Sequence, residues 1–204
     1  GETLLPQVLQ SAGYATGMWG KWHVGTGDGY GPWHRGFDEA FEARLYKYFD
    51  NQGVTNGEAD PQVGWNPERL TDKAIDFMTR HRDRRFFAYL PYLTVHSPLD
   101  APEALVTKYR AKGLEGSLAV LYAMVEGFDG QLQRLLDTLD ALGIAEHTVV
   151  LFLSDNGPWV GTSTLTEDEH RLRYVSGMRG HKGDIWENGV RSPLFVRWKG
   201  RLAP

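Results

Sequence analysis

Six side chains have the types and settings that could do chemistry together: Lys21, His23, His96, Asp155, Asn156 and Lys182. Lys21 and His23 flank Trp22, so in an extended turn both polar heads point one way while the indole packs behind them. Such a pair holds an anion or moves a proton, although exposed lysine and histidine also fall together by chance. His96 precedes Pro98 and Pro102, which stiffen its backbone as a proton donor requires; it also reads as a packed loop histidine. Asp155 and Asn156 offer two hard oxygen donors suited to calcium or magnesium. Taken alone, Asp155-Asn156-Gly157-Pro158 reads more simply as a tight turn. Lys182 lies between Gly180 and Gly183, where backbone can approach a ligand closely, while the commoner case is a solvated loop charge. A metal, two lysines and two histidines together describe a site for a tetrahedral oxyanion ester. The cations neutralise its charge and a histidine protonates the leaving oxygen.

The elements that must position these groups alternate between helix and strand. Thr3 caps a helix whose apolar face is Leu4, Leu5, Val8 and Leu9, and Gly13 ends it. Tyr14 to Trp19 form a buried strand, and Gly20 turns the chain away. Residues 24 to 33 are glycine-rich loop without Walker or dinucleotide spacing. Gly36-Phe37-Asp38 opens a short apolar segment, and residues 43 to 66 show no periodicity. A helix runs from about Pro67 to Arg80, with Leu70, Ala74, Phe77 and Met78 on one face, and Phe86 to Leu90 is a buried strand. The longest helix spans roughly Leu118 to Leu142 with an apolar face that includes Leu118, Val125, Phe128, Leu135 and Leu139. Thr148 to Leu153 is apolar on both faces, which predicts a central strand of a parallel sheet, and Pro193 to Trp198 reads as a last strand. In a parallel α/β sheet the strand ends carrying Lys21 and His23, His96, and Asp155 and Asn156 share one edge, where ligands bind.

Composition narrows the classes. With 22 basic and 26 acidic residues mixed along 204, and a net charge of −4, there is no basic face for nucleic acid and no polybasic membrane patch. No apolar run approaches the roughly 20 residues of a membrane span. An aromatic share of 12% argues against disorder. The absence of cysteine excludes disulfides, thiolate metal sites and a cysteine nucleophile from these residues. No repeat or linker marks a boundary, so residues 1–204 read as one unit.

Several stretches in order resemble the type I, formylglycine-dependent sulfatases (the arylsulfatase family) of the alkaline phosphatase superfamily. They are Gly13-Tyr14-Ala15-Thr16 through Gly20-Lys21-Trp22-His23-Val24-Gly25, then Gly36-Phe37-Asp38, Val95-His96-Ser97-Pro98 and Ser154-Asp155-Asn156-Gly157. Gly180-His181-Lys182-Gly183, Trp186 to Pro193 and Trp198-Lys199-Gly200 complete the series. The resemblance implies an alkaline-phosphatase-like α/β sandwich with a mostly parallel central sheet flanked by helices, incomplete at both ends. It implies that Lys21 contacts the sulfate and the formylglycine oxygen, and that His23 is the base assisting the gem-diol as the sulfated intermediate breaks down. His96 would contact the sulfate and, with Lys182, assist departure of the alcohol. Asp155 and Asn156 would be two calcium ligands. The implied partner is a small-molecule or carbohydrate sulfate ester, and the implied location is exported: periplasmic, extracellular or lysosomal. Asn188 stands where the family commonly has a second glycine, and Ser192 where valine is frequent; neither position carries chemistry in the family.

The family's nucleophile arises from a Cys/Ser-x-Pro/Ala-x-Arg motif expected upstream, with the paired aspartates that complete the calcium site. No serine here has that context. The chain therefore reads as a partial sulfatase catalytic domain, either a segment of an active sulfatase or a truncated, inactive remnant with weak anion and calcium binding. The coding sequence ahead of Gly1 separates these: an in-frame Cys-x-Pro-x-Arg supports the first and a stop codon or initiator sinks it. A phosphate or phosphonate ester hydrolase of the same superfamily is a third reading, and it would show more Asp and His metal ligands. Elements expected ahead of Thr3 would cover part of the sheet, so apolar surface is expected to be exposed in this chain. The aromatic segments Phe41 to Phe49 and Trp159 to Tyr174 are candidates for a leaving-group pocket or for surface packing.

Overall fold

The computed structural model describes residues 2–25, 27–160, 164–173 and 176–203. In chain order the elements are α1 (Leu5–Ser11), β1 (Ala15–Gly20), β2 (Glu39–Glu42), β3 (Val54–Thr55), β4 (Glu58–Ala59), α2 (Asn66–Arg80) and β5 (Phe86–Tyr89). There follow α3 (Glu103–Ala111), α4 (Gly116–Ala141), β6 (Val150–Leu153), α5 (Glu167–Leu172), α6 (Glu187–Val190) and β7 (Leu194–Arg197). The main sheet has the order β4-β3-β2-β1-β5, with β1 parallel to both β2 and β5 and the β2-β3-β4 meander antiparallel. The architecture is thus α/β with a mixed central sheet flanked by helices.

β1 is the buried centre of that sheet, with every residue inaccessible to solvent. On one face Ala15 and Trp19 meet Leu70, Ala74 and Phe77 of α2, and the Trp19 and Phe77 rings lie 4.9 Å apart. On the other, Met18 joins Trp22, Phe37 and Ala40. A strand enclosed this way needs apolar residues at both odd and even positions, which is why its sequence lacks alternation. Asp38 staples β1 to β2: its carboxylate accepts the Thr16 backbone N–H at 2.9 Å and the Thr16 hydroxyl at 3.1 Å, while Gln10 donates to its other oxygen at 2.5 Å. Burial pulls the Asp38 carboxyl upward, but the bonds from Thr16 and Gln10 and the charge of Arg84 outweigh it and hold it below the usual range.

Several expectations change. The apolar run at 148–153 is not central in a parallel sheet: among the described residues β6 pairs with β7 alone, antiparallel, in a separate two-stranded sheet. One of its faces is packed, with Phe152 6.1 Å from Phe128 of α4, while Leu151 and Leu153 are 60% and 61% exposed. An apolar composition records how much cover a strand is suited to, and leaves the direction of its neighbour unspecified. β5 is half-buried at the sheet edge instead of enclosed. The buried stripe of α4 runs through Leu118, Ala119, Ala123, Met124, Gly127 and Leu139, and Val125 faces solvent. Small residues let α4 sit close to its neighbours, and a tally of large apolar residues passes over them. α1 begins one residue later than expected, with Gln7 Oε1 accepting the Leu4 N–H at 2.8 Å in place of a Thr3 cap. Within the stretch read as aperiodic, β3 and β4 form a hairpin turned by Asn56 and Gly57, both at positive φ; the Asn-Gly pair was its signal.

Candidate active site

The ends of β1 and β5 meet at one backbone contact. Lys21 donates its N–H to the Pro91 carbonyl at 2.7 Å. Gly20, at φ +143°, permits this, since a Cβ there would stand 2.3 Å from the same oxygen. Because β1 and β5 are parallel neighbours, Lys21 and His23 leave one strand end beside the segment that carries His96 from the other. Trp22 is buried, donating its indole N–H to the Tyr30 carbonyl at 2.8 Å and packing edge-on to Phe37, while His23 is exposed and Lys21 partly so. The indole therefore anchors the turn from behind, as the alternation predicts.

His96 is held at both ends of its residue. Its Nδ1 lies 2.6 Å from the Ser97 carbonyl, which can only accept, so Nδ1 carries the hydrogen and Nε2 is the nitrogen available to a ligand. Its own carbonyl accepts from the Tyr48 hydroxyl at 2.7 Å, and the same hydroxyl is 3.0 Å from the Leu93 carbonyl. Burial pushes the Tyr48 phenol far up, so it stays a neutral donor. Tyr48, Leu93 and Ala101 share one buried cluster with Met124 of α4, which fixes the loop around His96 to the helix.

A second close approach joins the other two sets. Gly157 donates its N–H to the Gly189 carbonyl at 3.0 Å, and a Cβ on Gly157 would fall 1.7 Å from the Asn188 carbonyl. Lys182 donates its backbone N–H to the Pro158 carbonyl at 2.8 Å, so Lys182 sits against the turn that carries Asp155 and Asn156. Asn188, which replaces a common family glycine, is a buried brace. It donates Nδ2 to the Gly180 carbonyl at 2.8 Å and accepts the Ser176 hydroxyl at 2.8 Å. Nothing in composition marked Asn188 as structural; the signal is burial. Trp159 rests edge-on against the His181 ring at 5.2 Å, with its carbonyl held by Arg173 at 3.0 Å. The remainder of the aromatic segment proposed up to Tyr174 lies partly outside the described residues, at 161–163 and 174.

Tyr89 stands at the end of β5. Burial raises its phenol, and the nearby Asp155 carboxylate raises it further, so Asp155 lies within electrostatic reach of the main sheet's edge. β6 itself belongs to the separate sheet with β7. Asp155 is exposed, and Asn156 donates its amide to the Gly157 carbonyl at 2.8 Å. Among the described residues no cluster of three acidic or histidine side chains is placed to hold a metal. Asp155 and Asn156 alone fall short of the roughly six to eight oxygens calcium takes. Lys21 forms no ion pair with a described residue. The arrangement offers a cation and a histidine at one strand end, a histidine with Nε2 available after the next, and, as a second group, a carboxylate on a turn that the Lys182 backbone touches.

A family model described as Sulfatase matches residues 1–204. The chain is 29% identical over 233 residues to an uncharacterized sulfatase, YdeN, of Escherichia coli (strain K12), covering 100% of this chain and 40% of that protein. It is 37% identical over 137 residues to steryl-sulfatase of Mus musculus, covering 67% of this chain and 20% of the relative. The crystal structure of PsFucS1 sulfatase from Pseudoalteromonas sp. matches with a TM-score of 0.75 at 26% identity, over 98% of this chain and 45% of that one. Ps i-CgsB in complex with k-i-k-neocarrahexaose matches in fold with a TM-score of 0.84 at 22% identity, over 98% of this chain and 50% of that one. The chain thus spans about half or less of the length of these relatives.

Proposed function

Because this chain belongs to the sulfatase family, we propose that it forms the anion-holding and leaving-group-assisting part of a hydrolase of sulfate monoesters. The observation that carries this reading is the Lys21 to Pro91 contact, which joins the strand end bearing Lys21 and His23 to the segment bearing His96. In the reaction, the Lys21 and Lys182 ammoniums neutralise the sulfate oxygens. His96, as the imidazolium with hydrogens on both nitrogens, delivers the Nε2 proton to the departing alcohol oxygen and is left neutral, its Nδ1 hydrogen still bonded to the Ser97 carbonyl. His23, exposed beside Lys21, accepts a proton on the opposite side. A formylglycine derived from cysteine or serine would supply the nucleophilic oxygen, and no residue of this chain stands in its motif. Asp155 and Asn156 would supply two of the oxygens to a calcium ion, which would need its remaining ligands from other residues.

The substrate is a sulfate monoester of a carbohydrate or other small alcohol. One curated relative is named N-acetylgalactosamine-6-O-sulfatase, from Bacteroides thetaiotaomicron. No described helix is long and apolar enough to cross a membrane, and the family resemblance points to an exported protein.

The test is a titration of the chain with inorganic sulfate, followed through the histidine ring resonances. Sulfate is expected to shift His23 and His96, and Lys21→Ala to remove most of the shift. Unmoved histidines, or shifts indifferent to Lys21→Ala, overturn the assignment. A second reading is an inactive anion-binding chain. It predicts the same sulfate shifts with no turnover.

A further inference from the structure

Tyr46 sits in a backbone conformation that a bulky aromatic residue rarely adopts. Its φ is +61°, and among the described non-glycine residues only Asp50 and Asn56 share that region. Asp and Asn tolerate left-handed backbone through their short polar side chains, whereas tyrosine gains nothing there and is strained. The loop enforces the conformation. Asn51, fully buried, accepts the Arg44 N–H at 2.8 Å and donates to the Arg44 carbonyl at 3.0 Å and the Lys47 carbonyl at 2.9 Å. Tyr48, two residues on, is clamped to the His96 and Leu93 carbonyls. Between these two anchors the Tyr46 ring is brought 5.3 Å from the His96 imidazole, at 45°, with 47% of the residue exposed.

Burial does not explain the strain, because nearly half of Tyr46 remains in water. An exposed aromatic held strained beside a proton donor is the pattern of a residue retained for contact with a ligand. We infer that Tyr46 is a specificity-determining contact for the alcohol part of the substrate, resting its ring against the apolar face of a six-membered ring, a pyranose or an arene. This rests on the sulfatase reading, since His96 marks where the alcohol leaves. On that reading the sulfate would be held by Lys21 and His96, and the alcohol would leave beside the imidazole, next to which the Tyr46 ring lies at 5.3 Å. Stacking of this kind favours ring alcohols over open-chain ones, whose flexible carbons cannot cover an aromatic face without losing rotamer freedom.

The test uses the 204-residue chain and four ligands: inorganic sulfate, a methyl pyranoside sulfate, nitrophenyl sulfate and an open-chain alkyl sulfate, with affinities read from histidine shifts. Tyr46→Asn removes the ring but suits the left-handed backbone, so the loop keeps its shape and the variant is expected to melt no lower than wild type. It is expected to weaken one or both ring sulfates about three- to tenfold and to leave inorganic and alkyl sulfate within about twofold. Tyr46→Phe is expected to keep the ring-sulfate affinity. The arm with the larger loss identifies the ring, sugar or arene. Undiminished ring-sulfate binding in Tyr46→Asn overturns the inference and leaves the sulfatase reading standing. An equal loss for all four ligands also overturns it, because Tyr46 then acts through His96 alone. Sulfate binding indifferent to Lys21→Ala overturns the sulfatase reading and this inference with it.

Discussion

The Pro91 carbonyl accepts the Lys21 N–H at 2.7 Å, and only a glycine preceding Lys21 leaves room for it. That one contact fixes the spacing between the ends of β1 and β5, and hence between the cation and the histidine that follow them. Gly20→Ala is expected to destabilise the chain by roughly 2–4 kcal/mol, combining the strained φ with the clash against Pro91. Urea unfolding measures the loss. Sulfate-induced shifts of His96 should shrink in the variant under native conditions; full stability together with unchanged shifts would show that the contact positions nothing.

Asp38 predicts a pH dependence. Its carboxyl is held below the usual range in the folded chain, so the ionised form is the one that stabilises. The contribution is therefore present above the unfolded carboxylate value, near pH 4, and is lost as pH falls through the depressed folded value. Asp38→Asn is expected to cost about 0.5–1 kcal/mol at neutral pH, solvent screening at this exposed carboxylate keeping the loss small. The gap between variant and wild type should stay level from about pH 5 to 8 and close below about pH 4. A gap that widens on acidification would contradict the assignment.

One face of the sheet formed by β6 and β7 carries Leu151, Leu153 and Leu194, each at least 60% exposed, with Val196 beside them. An apolar strip of this kind on two paired strands promotes self-association. The chain is expected to bind a hydrophobic dye and to grow in sedimentation mass with concentration. The double variant Leu151→Lys, Leu153→Lys is expected to reduce both while moving the melting temperature by only a few degrees. A monomeric wild type that binds no dye and unfolds cooperatively would remove the basis for this.

The chain is expected to release no nitrophenolate from nitrophenyl sulfate, with or without calcium, because it contains no cysteine and no serine in the required motif. A continuous absorbance assay suffices. Turnover that Lys21→Ala abolishes would show that the missing nucleophile is dispensable.

The placing of Lys21 and His23 after β1 and of His96 after β5 was legible, because a glycine or proline ends each apolar strand; Lys182 follows no strand, and Asp155 and Asn156 follow one outside the main sheet. Lys21 and His23 around a buried Trp22, and His96 after β5, lie where alternation and the parallel-sheet rule put them. Asn51, Asn188 and Tyr46 were not legible. Their importance comes from burial, from hydrogen bonds that close a loop, and from a backbone angle, none of which is a property of composition.

By itself the sequence determined the element types around the site and the family, because hydrophobic period and motif residues are local. It also determined that a nucleophile in the family's motif is not among these residues. Tertiary structure alone decided that β6 pairs with β7 outside the main sheet, since an apolar strand accepts a neighbour in either direction. It decided as well that Gly20 and Gly157 are the points where chain segments touch. Close approach depends on which backbones meet in space, and a glycine in the sequence is silent about its neighbour.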